Sequence, residues 1–174
     1  IYKSNLFGSL TYSDMPFILA PNLSSKLNIN KTNLEFRERA HGDGITISNN
    51  SPEAFEEVFW HTFEDNDEYE IKFSTYISII LNKYEKNRYL SKNNQNIKRI
   101  DKITNIFNYS KILVPFRDPL QHSFSLLSQH KKFIKNSKSD KFIGKYMKWI
   151  GHTEFGPNYI PVNKKNLKFK NYFD

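Results

Sequence analysis

The chain has 174 residues, of which 38% are hydrophobic and 16% aromatic, and it contains no cysteine. A chain of this length buries about 70% of the surface that it exposes when unfolded, so one domain with a substantial core is expected. Without cysteine, disulfides, thiolate catalysis and cysteine-ligated zinc are excluded. With no signal-peptide pattern and no long apolar run, the sequence predicts a cytoplasmic protein. The net charge of +8 favours an anionic partner, but the cations are spread along the chain, which argues against nucleic acid.

Apolar side chains recur at helical spacing in three stretches of the chain. Ser51, Pro52 and Glu53 have the character of an N-cap, a first-turn proline and a first-turn acid, and they predict a helix over residues 52–64. Two further amphipathic helices are predicted over residues 73–84 and 97–107.

Residues 111–116 form a short, continuous apolar run with β-branched members, which is typical of a strand buried in a parallel sheet. A helix start follows directly, because Asp118 is a good N-cap and Pro119 a good first helical residue. A last helix is predicted over residues 141–150, with Gly151 as its stop. A strand that leads straight into a helix indicates an α/β fold.

The turn between this strand and its helix is the best candidate for an anion site. Arg117 is predicted to lie where unpaired N–H groups and the helix dipole favour an anion, and its guanidinium can add a bidentate contact. Ser125 follows the Asp118 cap by about two helical turns, which returns it to nearly the same face. Ser123 is less well placed. Arg117 and Ser125 are therefore predicted to bind one anionic group.

The run Arg117-Asp118-Pro119, followed by Ser125, resembles the 3′-phosphate-binding element of sulfotransferases that use 3′-phosphoadenosine-5′-phosphosulfate (PAPS). Five blocks are similar in order to one bacterial branch of this family: residues 10–17, 39–44, 89–94, 125–130 and 149–156. The resemblance implies a three-layer α/β fold similar to nucleotide kinases, with a central, largely parallel sheet. Residues 1–174 would form a single domain that is incomplete at both ends.

The resemblance also implies an activity. A sulfuryl group would pass from PAPS to an acceptor hydroxyl or amine on a small molecule or glycan, leaving 3′-phosphoadenosine-5′-phosphate (PAP), with no metal required. Arg117 and Ser125 would hold the donor's 3′-phosphate.

Catalytic roles follow from the same resemblance. By position, Asp14 is the first candidate for the base that accepts the acceptor's proton. Lys92 occupies the place of a family lysine that reaches the active site, so it is expected to stabilise charge in the transition state. His41 and Asp43 are the alternative base or acceptor contacts.

The family's Ser-Gly-Thr-rich loop for the 5′-phosphosulfate has no counterpart in the chain. Gly8 and Ser9 offer only a superficial similarity, because no apolar strand precedes them and no threonine pair follows. The first strand, this loop and much of the first helix are therefore expected to be missing. By itself the chain is expected to bind donor weakly and not to transfer sulfate.

Other interpretations stay open. A noncatalytic basic α/β domain would keep only the anion site and bind a phosphorylated ligand or nucleic acid, without needing Asp14 or Lys92. A phosphotransferase of the same general fold would instead have a Gly-x-x-x-x-Gly-Lys-Ser/Thr loop upstream. Structurally, Arg117 can pair with a carboxylate, Asp14 can cap a turn, and Lys92 can be a solvated surface lysine. The histidines lack metal-ligand spacing, so no metal is expected.

Overall fold

The computed structural model describes residues 2–27, 36–39 and 44–161, and this part of the chain is mostly helical. Its α-helices are α1 (Pro21–Lys26), α2 (Glu56–Phe63), α3 (Tyr69–Lys83), α4 (Ile100–Ile106), α5 (Pro119–Ser139) and α6 (Lys141–Trp149). Short 3₁₀ turns lie at Tyr2–Ser4, Tyr12–Asp14 and Asn94–Lys98. Strands β1 (Arg37–Glu38) and β2 (Thr46–Ile47) pair antiparallel, with Arg37 opposite Ile47.

The described residues fall into two compact units, an N-terminal unit up to residue 97 and a C-terminal unit from residue 98 onward. The core of the N-terminal unit lies between α2 and α3, whose apolar faces meet. The rings of Phe59 and Tyr76 stack with centroids 5.0 Å apart, and those of Trp60 and Phe73 lie 4.4 Å apart. Each fully buried side chain of this kind contributes about 1.5–3 kcal/mol to folding. The apolar residues that recur at helical spacing in the sequences of α2 and α3 therefore lie on the sides where the two helices pack together, as predicted.

Helix α2 begins at Glu56, so the predicted start at Pro52 is wrong. Pro52 forms an antiparallel bridge with Thr11, and the Tyr12 N–H donates to the Ser51 carbonyl at 3.2 Å. Because of this long-range pairing, Ser51 and Pro52, which resemble a helix start in the sequence, pair with the N-terminal segment and do not begin the helix.

The other two predicted helices of the first two thirds are present with changed bounds. The prediction over residues 73–84 corresponds to α3, which begins a turn earlier at Tyr69. The prediction over residues 97–107 corresponds to the 3₁₀ turn Asn94–Lys98 followed by α4.

In the C-terminal unit, α5 and α6 pack against each other and begin where the sequence predicts. The side chain of Asp118 accepts a hydrogen bond from the Gln121 N–H at 2.9 Å, and Asp140 caps α6 in the same way. Gly151 follows α6 with a φ of 73°, in the left-handed region that favours glycine at a helix end. The predicted Asp118 cap and the predicted Gly151 stop are confirmed, whereas the Asp140 cap was not predicted.

Residues 111–116 are not a buried strand, which corrects the sequence prediction. Their side chains are exposed, with Val114 at 77% and Phe116 at 87%. A parallel strand is stable only when neighbours bond its N–H and C=O groups, and within the described ranges no backbone hydrogen bond reaches these residues. For the same reason the predicted central parallel sheet is not seen in the described part of the chain.

None of the helices described combines the length and apolar character needed to cross a membrane.

Candidate functional site

The N-terminus of α5 carries the residues that the sequence analysis predicts to bind an anion. Asp118 caps the helix through the Gln121 N–H, and its carbonyl accepts from the His122 N–H at 3.0 Å. Arg117 directly precedes the cap and is exposed to solvent. Its guanidinium forms no hydrogen bond or ion pair with any residue that the structure describes. A cation therefore lies beside the N-terminus of a 21-residue helix, next to the Asp118 carboxylate that caps it, and forms no ion pair within the described ranges.

The two serines of the first turns of α5 differ in how their hydroxyls are used. The Ser123 hydroxyl donates to the Pro119 carbonyl at 2.8 Å, so its proton is already used in a hydrogen bond within the helix. The partly buried Ser125 side chain has no hydrogen bond to any other residue in the described ranges. This difference agrees with the sequence argument, which prefers Ser125 over Ser123 as a partner for Arg117.

Lys92, the predicted charge-stabilising lysine, is exposed in the segment 89–96 of the N-terminal unit. The segment is joined to the N-terminal residues through Gly8, which donates to the Arg88 carbonyl at 2.8 Å and accepts from the Leu90 N–H at 2.9 Å. A Cβ atom at Gly8 would lie 3.2 Å from Leu81 Cδ2, a tight contact that a shift of the Leu81 side chain by a few tenths of an ångström would relieve. The backbone around Lys92 is thus held against a second part of the chain.

Asp14, the first candidate for the catalytic base, is completely buried. Its Oδ1 accepts from Lys83 Nζ at 2.6 Å, and its Oδ2 accepts from the Thr11 N–H and from the Tyr84 hydroxyl, both at 2.7 Å. With Thr11 it forms a capping box around the turn Tyr12–Asp14. Both carboxylate oxygens are therefore engaged by protein groups, and the arrangement is that of a structural cap and ion pair. The catalytic role of Asp14 stays a prediction.

The Lys83 ammonium makes three hydrogen bonds within this cluster. Besides Asp14, its ammonium donates to the Pro21 carbonyl at 2.7 Å and to Ser24 Oγ at 2.8 Å. Three donors thus meet three acceptors, which is how a largely buried ammonium is tolerated. The cluster ties α1 and the preceding turn to the end of α3.

Two partly buried tyrosines, Tyr84 and Tyr89, donate hydrogen bonds to neighbouring carboxylates. Burial, followed by the negative charge of Asp14, raises the pKa of Tyr84 well above its usual value of 10.0. Burial, followed by the charge of Glu56, likewise raises the pKa of Tyr89. Both hydroxyls therefore keep their protons at neutral pH and act as donors to these carboxylates.

His41 and Asp43, the alternative base and acceptor contacts, lie outside the described residues. Across residues 2–27, 36–39 and 44–161, no group of three or more His, Asp or Glu side chains is placed to hold a metal ion.

Sequence reasoning missed three buried carboxylates, those of Glu53, Glu56 and Glu57, each at most 8% exposed. Glu53 accepts from the Tyr12 hydroxyl at 3.0 Å and pairs with Arg39 at 3.1 Å. The sequence signal for the burial of these carboxylates is that they lie inside or next to an apolar stretch that runs from residue 54 to residue 63. The donors Tyr12, Tyr89 and Asn93 are at least 33 residues away from the carboxylates that they contact, so no local signature marks these pairs.

Comparisons of the chain with protein-family models, with curated proteins and with solved structures found no match. A functional assignment therefore depends on these residues and their arrangement, together with the sequence resemblance described above.

Proposed function

We propose that the protein is part of a sulfotransferase that transfers a sulfuryl group from PAPS to an acceptor hydroxyl or amine. In this proposal Arg117 and Ser125 bind the donor's 3′-phosphate. The observation that supports it best is the start of α5, where an exposed guanidinium directly precedes a capped helix. Two turns further on, the Ser125 hydroxyl is not used within the helix, in contrast to Ser123.

A terminal phosphate suits this arrangement chemically. It carries close to two negative charges at neutral pH and has three acceptor oxygens. Arg117 can bind two of them with parallel N–H donors, and a serine hydroxyl can donate to another. The helix dipole adds a favourable field within the first turn. A carboxylate or a neutral ligand would use fewer of these features.

The proposed enzyme includes the central parallel sheet of nucleotide-kinase-like folds. Residues 111–116, which are exposed and form no strand in this structure, are the candidate strand once neighbouring strands are present, because their apolar, β-branched side chains and unbonded backbone groups suit such a position. In that arrangement Arg117 lies at the carboxyl end of the strand, where ligands of open α/β sheets bind.

In the proposed reaction, the acceptor oxygen or nitrogen attacks sulfur and the bond from sulfur to the bridging phosphate oxygen breaks, so that PAP leaves. A base accepts the acceptor's proton, and Asp14 and His41 are its candidates. For Asp14 this requires that the contact with Lys83 open, because the carboxylate is buried. Lys92 stabilises the charge that develops on the transferring group or on the leaving phosphate.

Titration of PAP into the protein tests the 3′-phosphate site. Arg117→Ala is expected to weaken binding by about 10–150-fold, the loss for a charged hydrogen-bonded pair of about 1.5–3 kcal/mol. Ser125→Ala is expected to weaken it less, and Ser123→Ala hardly at all. The 174-residue chain is expected to bind PAP weakly, so an NMR titration suits it better than calorimetry.

Two controls separate the site from general charge. Lys111→Ala removes one exposed positive charge from the same segment and is expected to leave PAP affinity nearly unchanged. Adenosine 5′-phosphate, which lacks the 3′-phosphate, should bind wild type and Arg117→Ala equally. Equal losses from Arg117→Ala and Lys111→Ala would instead favour the noncatalytic basic domain, which attracts anions through its overall charge.

A further inference from the structure

Helix α2 buries two consecutive carboxylates, Glu56 and Glu57, each 3% exposed. Burial of a carboxylate costs several kcal/mol unless donors replace its water. The donors that do so here come largely from one other segment, residues 89–96.

Glu56 binds this segment through two of its residues. Its Oε2 accepts from the Tyr89 hydroxyl at 2.8 Å, and its Oε1 accepts from Trp60 Nε1 at 2.9 Å within α2. Asn96 Nδ2 lies 3.4 Å from the same Oε1 and also donates to Ser91 Oγ at 3.0 Å. One carboxylate thus connects the beginning and the end of the segment.

Glu57 binds the middle of the segment. Its Oε2 accepts from Asn93 Nδ2 at 2.6 Å. The amide oxygen of Asn93 accepts from the Gln95 N–H at 2.9 Å, so Asn93 also fixes the turn that follows it. The Asn93 side chain therefore uses its amide N–H for Glu57 and its amide oxygen for the backbone of the segment.

Lys92 lies between these anchors, three residues after Tyr89 and directly before Asn93. Its side chain is exposed and makes no hydrogen bond or ion pair with any residue in the described ranges. The segment therefore combines a backbone fixed on both sides with one cation that is available to a ligand.

We infer that Glu56 and Glu57 are positioning residues that fix the segment 89–96 and thereby set where Lys92 projects. The inference rests on the proposed function, in which Lys92 stabilises the charge of the sulfuryl transfer. Buried charged and polar groups often add little net stability compared with apolar side chains of the same size, but in some proteins they specify geometry. A group that stabilises a transition state must be held within about 0.5 Å of its productive position.

The anchoring can be measured without any ligand. In Glu57→Ala, hydrogen exchange of the Gln95 and Asn96 amides is expected to accelerate about tenfold or more, while amides in the middle of α3 keep their rates. Glu57→Gln, whose amide oxygen can still accept from Asn93, should restore most of the protection. If Glu57→Ala does not fold, Asn93→Ala removes the same hydrogen bond without altering α2; because it also removes the acceptor of the Gln95 N–H, the Asn96 amide is then the readout. Unchanged exchange over residues 89–96, or acceleration shared by the whole unit, would overturn the inference.

The connection to Lys92 is tested by a double-mutant cycle on PAPS affinity, with wild type, Asn93→Ala, Lys92→Ala and the double variant. Each single change is expected to weaken binding about tenfold, and the double variant no more than either single change. Lys26→Ala, which removes an exposed lysine elsewhere in the same unit, should have no effect. Additive losses would show that Asn93 does not act through Lys92.

The same titrations separate the two proposals. If Arg117→Ala weakens PAPS binding but Asn93→Ala and Lys92→Ala do not, the proposed function stands and the positioning inference fails. If PAPS binding is indifferent to Arg117, the proposed function fails, and a null result for Lys92→Ala then removes the positioning role with it.

Discussion

The buried carboxylates of the N-terminal unit and the exposed Arg117 of the C-terminal unit differ in how their charges are used. In the N-terminal unit, Asp14, Glu56 and Glu57 are at most 3% exposed, and their carboxylates accept hydrogen bonds from other residues of the unit. In the C-terminal unit, Arg117 is exposed beside apolar side chains that are exposed too, such as Phe116 at 87%. The three carboxylates are engaged by groups of their own unit, whereas the Arg117 guanidinium is exposed to solvent.

This contrast separates structural from ligand-binding candidates. A buried charge with all of its hydrogen bonds made within the protein gains little from a ligand and loses much when its partner is removed. An exposed cation at a helix N-terminus gains from an anion and contributes little to stability. Among the predicted site residues, Asp14 belongs to the first kind and Arg117 to the second.

The largest effect is expected from breaking the buried ion pair. Asp14→Ala leaves the Lys83 ammonium without its carboxylate and should lower the free energy of unfolding by about 3–5 kcal/mol. Urea denaturation followed by circular dichroism measures this. The double variant Asp14→Ala/Lys83→Met should be less destabilised than the sum of the single variants. A loss of less than about 1 kcal/mol would mean that the carboxylate is not held by this pair, and it would strengthen Asp14 as the base.

Alkaline pH probes the same network through its phenols. Because the pKa of Tyr84 is raised in the folded state, its contribution to stability is present below pH 10 and is lost as the pH rises further. The free energy of unfolding should fall by up to about 1.4 kcal/mol per pH unit for each such tyrosine. Denaturation between pH 9 and 11 should show a shallower decline for Tyr84→Phe than for wild type. Tyr109→Phe, at a residue that is 89% exposed, should leave the slope unchanged.

The cap of α5 should have a smaller effect on stability. Asp118→Ala removes the acceptor of the Gln121 N–H and is expected to cost about 1 kcal/mol. Asp118→Ser, which keeps a capping oxygen, should recover most of the loss. A decrease in thermal stability that serine does not recover would show that the carboxylate acts through something other than the cap.

The smallest effect is expected at the exposed apolar run. Phe116→Ala should change the free energy of unfolding by less than about 0.5 kcal/mol, whereas Phe73→Ala in the core of the N-terminal unit should cost about 3–5 kcal/mol. The two variants make the same change, phenylalanine to alanine, at one side chain that is 87% exposed and at another that is 2% exposed. A large loss from Phe116→Ala would indicate that residues 111–116 are buried, as the parallel-sheet prediction requires.

Local signals predicted the helices of the C-terminal unit well, because the Asp118 cap and the Gly151 stop act within a few residues of chain. The same kind of signal failed at Pro52, where pairing with Thr11 overrides it. The apolar, β-branched residues 111–116 predict a buried strand by composition. A strand is buried only where other strands pair with it, and local composition does not show whether such strands are present.

The candidate site was predictable to a similar extent. Arg117 and Ser125 follow from their spacing around a cap that the structure confirms. The burial of Asp14 was not predictable, because its partner Lys83 is 69 residues away. The anchoring by Glu57 was hidden for the same reason, since Asn93 is 36 residues further on.

The long-range pairing of the N-terminal unit also bears on how fast each unit folds. The Tyr84 hydroxyl reaches Asp14 across 70 residues, whereas the Gly156 N–H reaches His130 across 26 in the C-terminal unit. Chain entropy must be lost before distant contacts form, so proteins rich in local contacts fold faster. We therefore expect α5 and α6 to dock first during refolding, with the closure of the Asp14 cluster as the slower event.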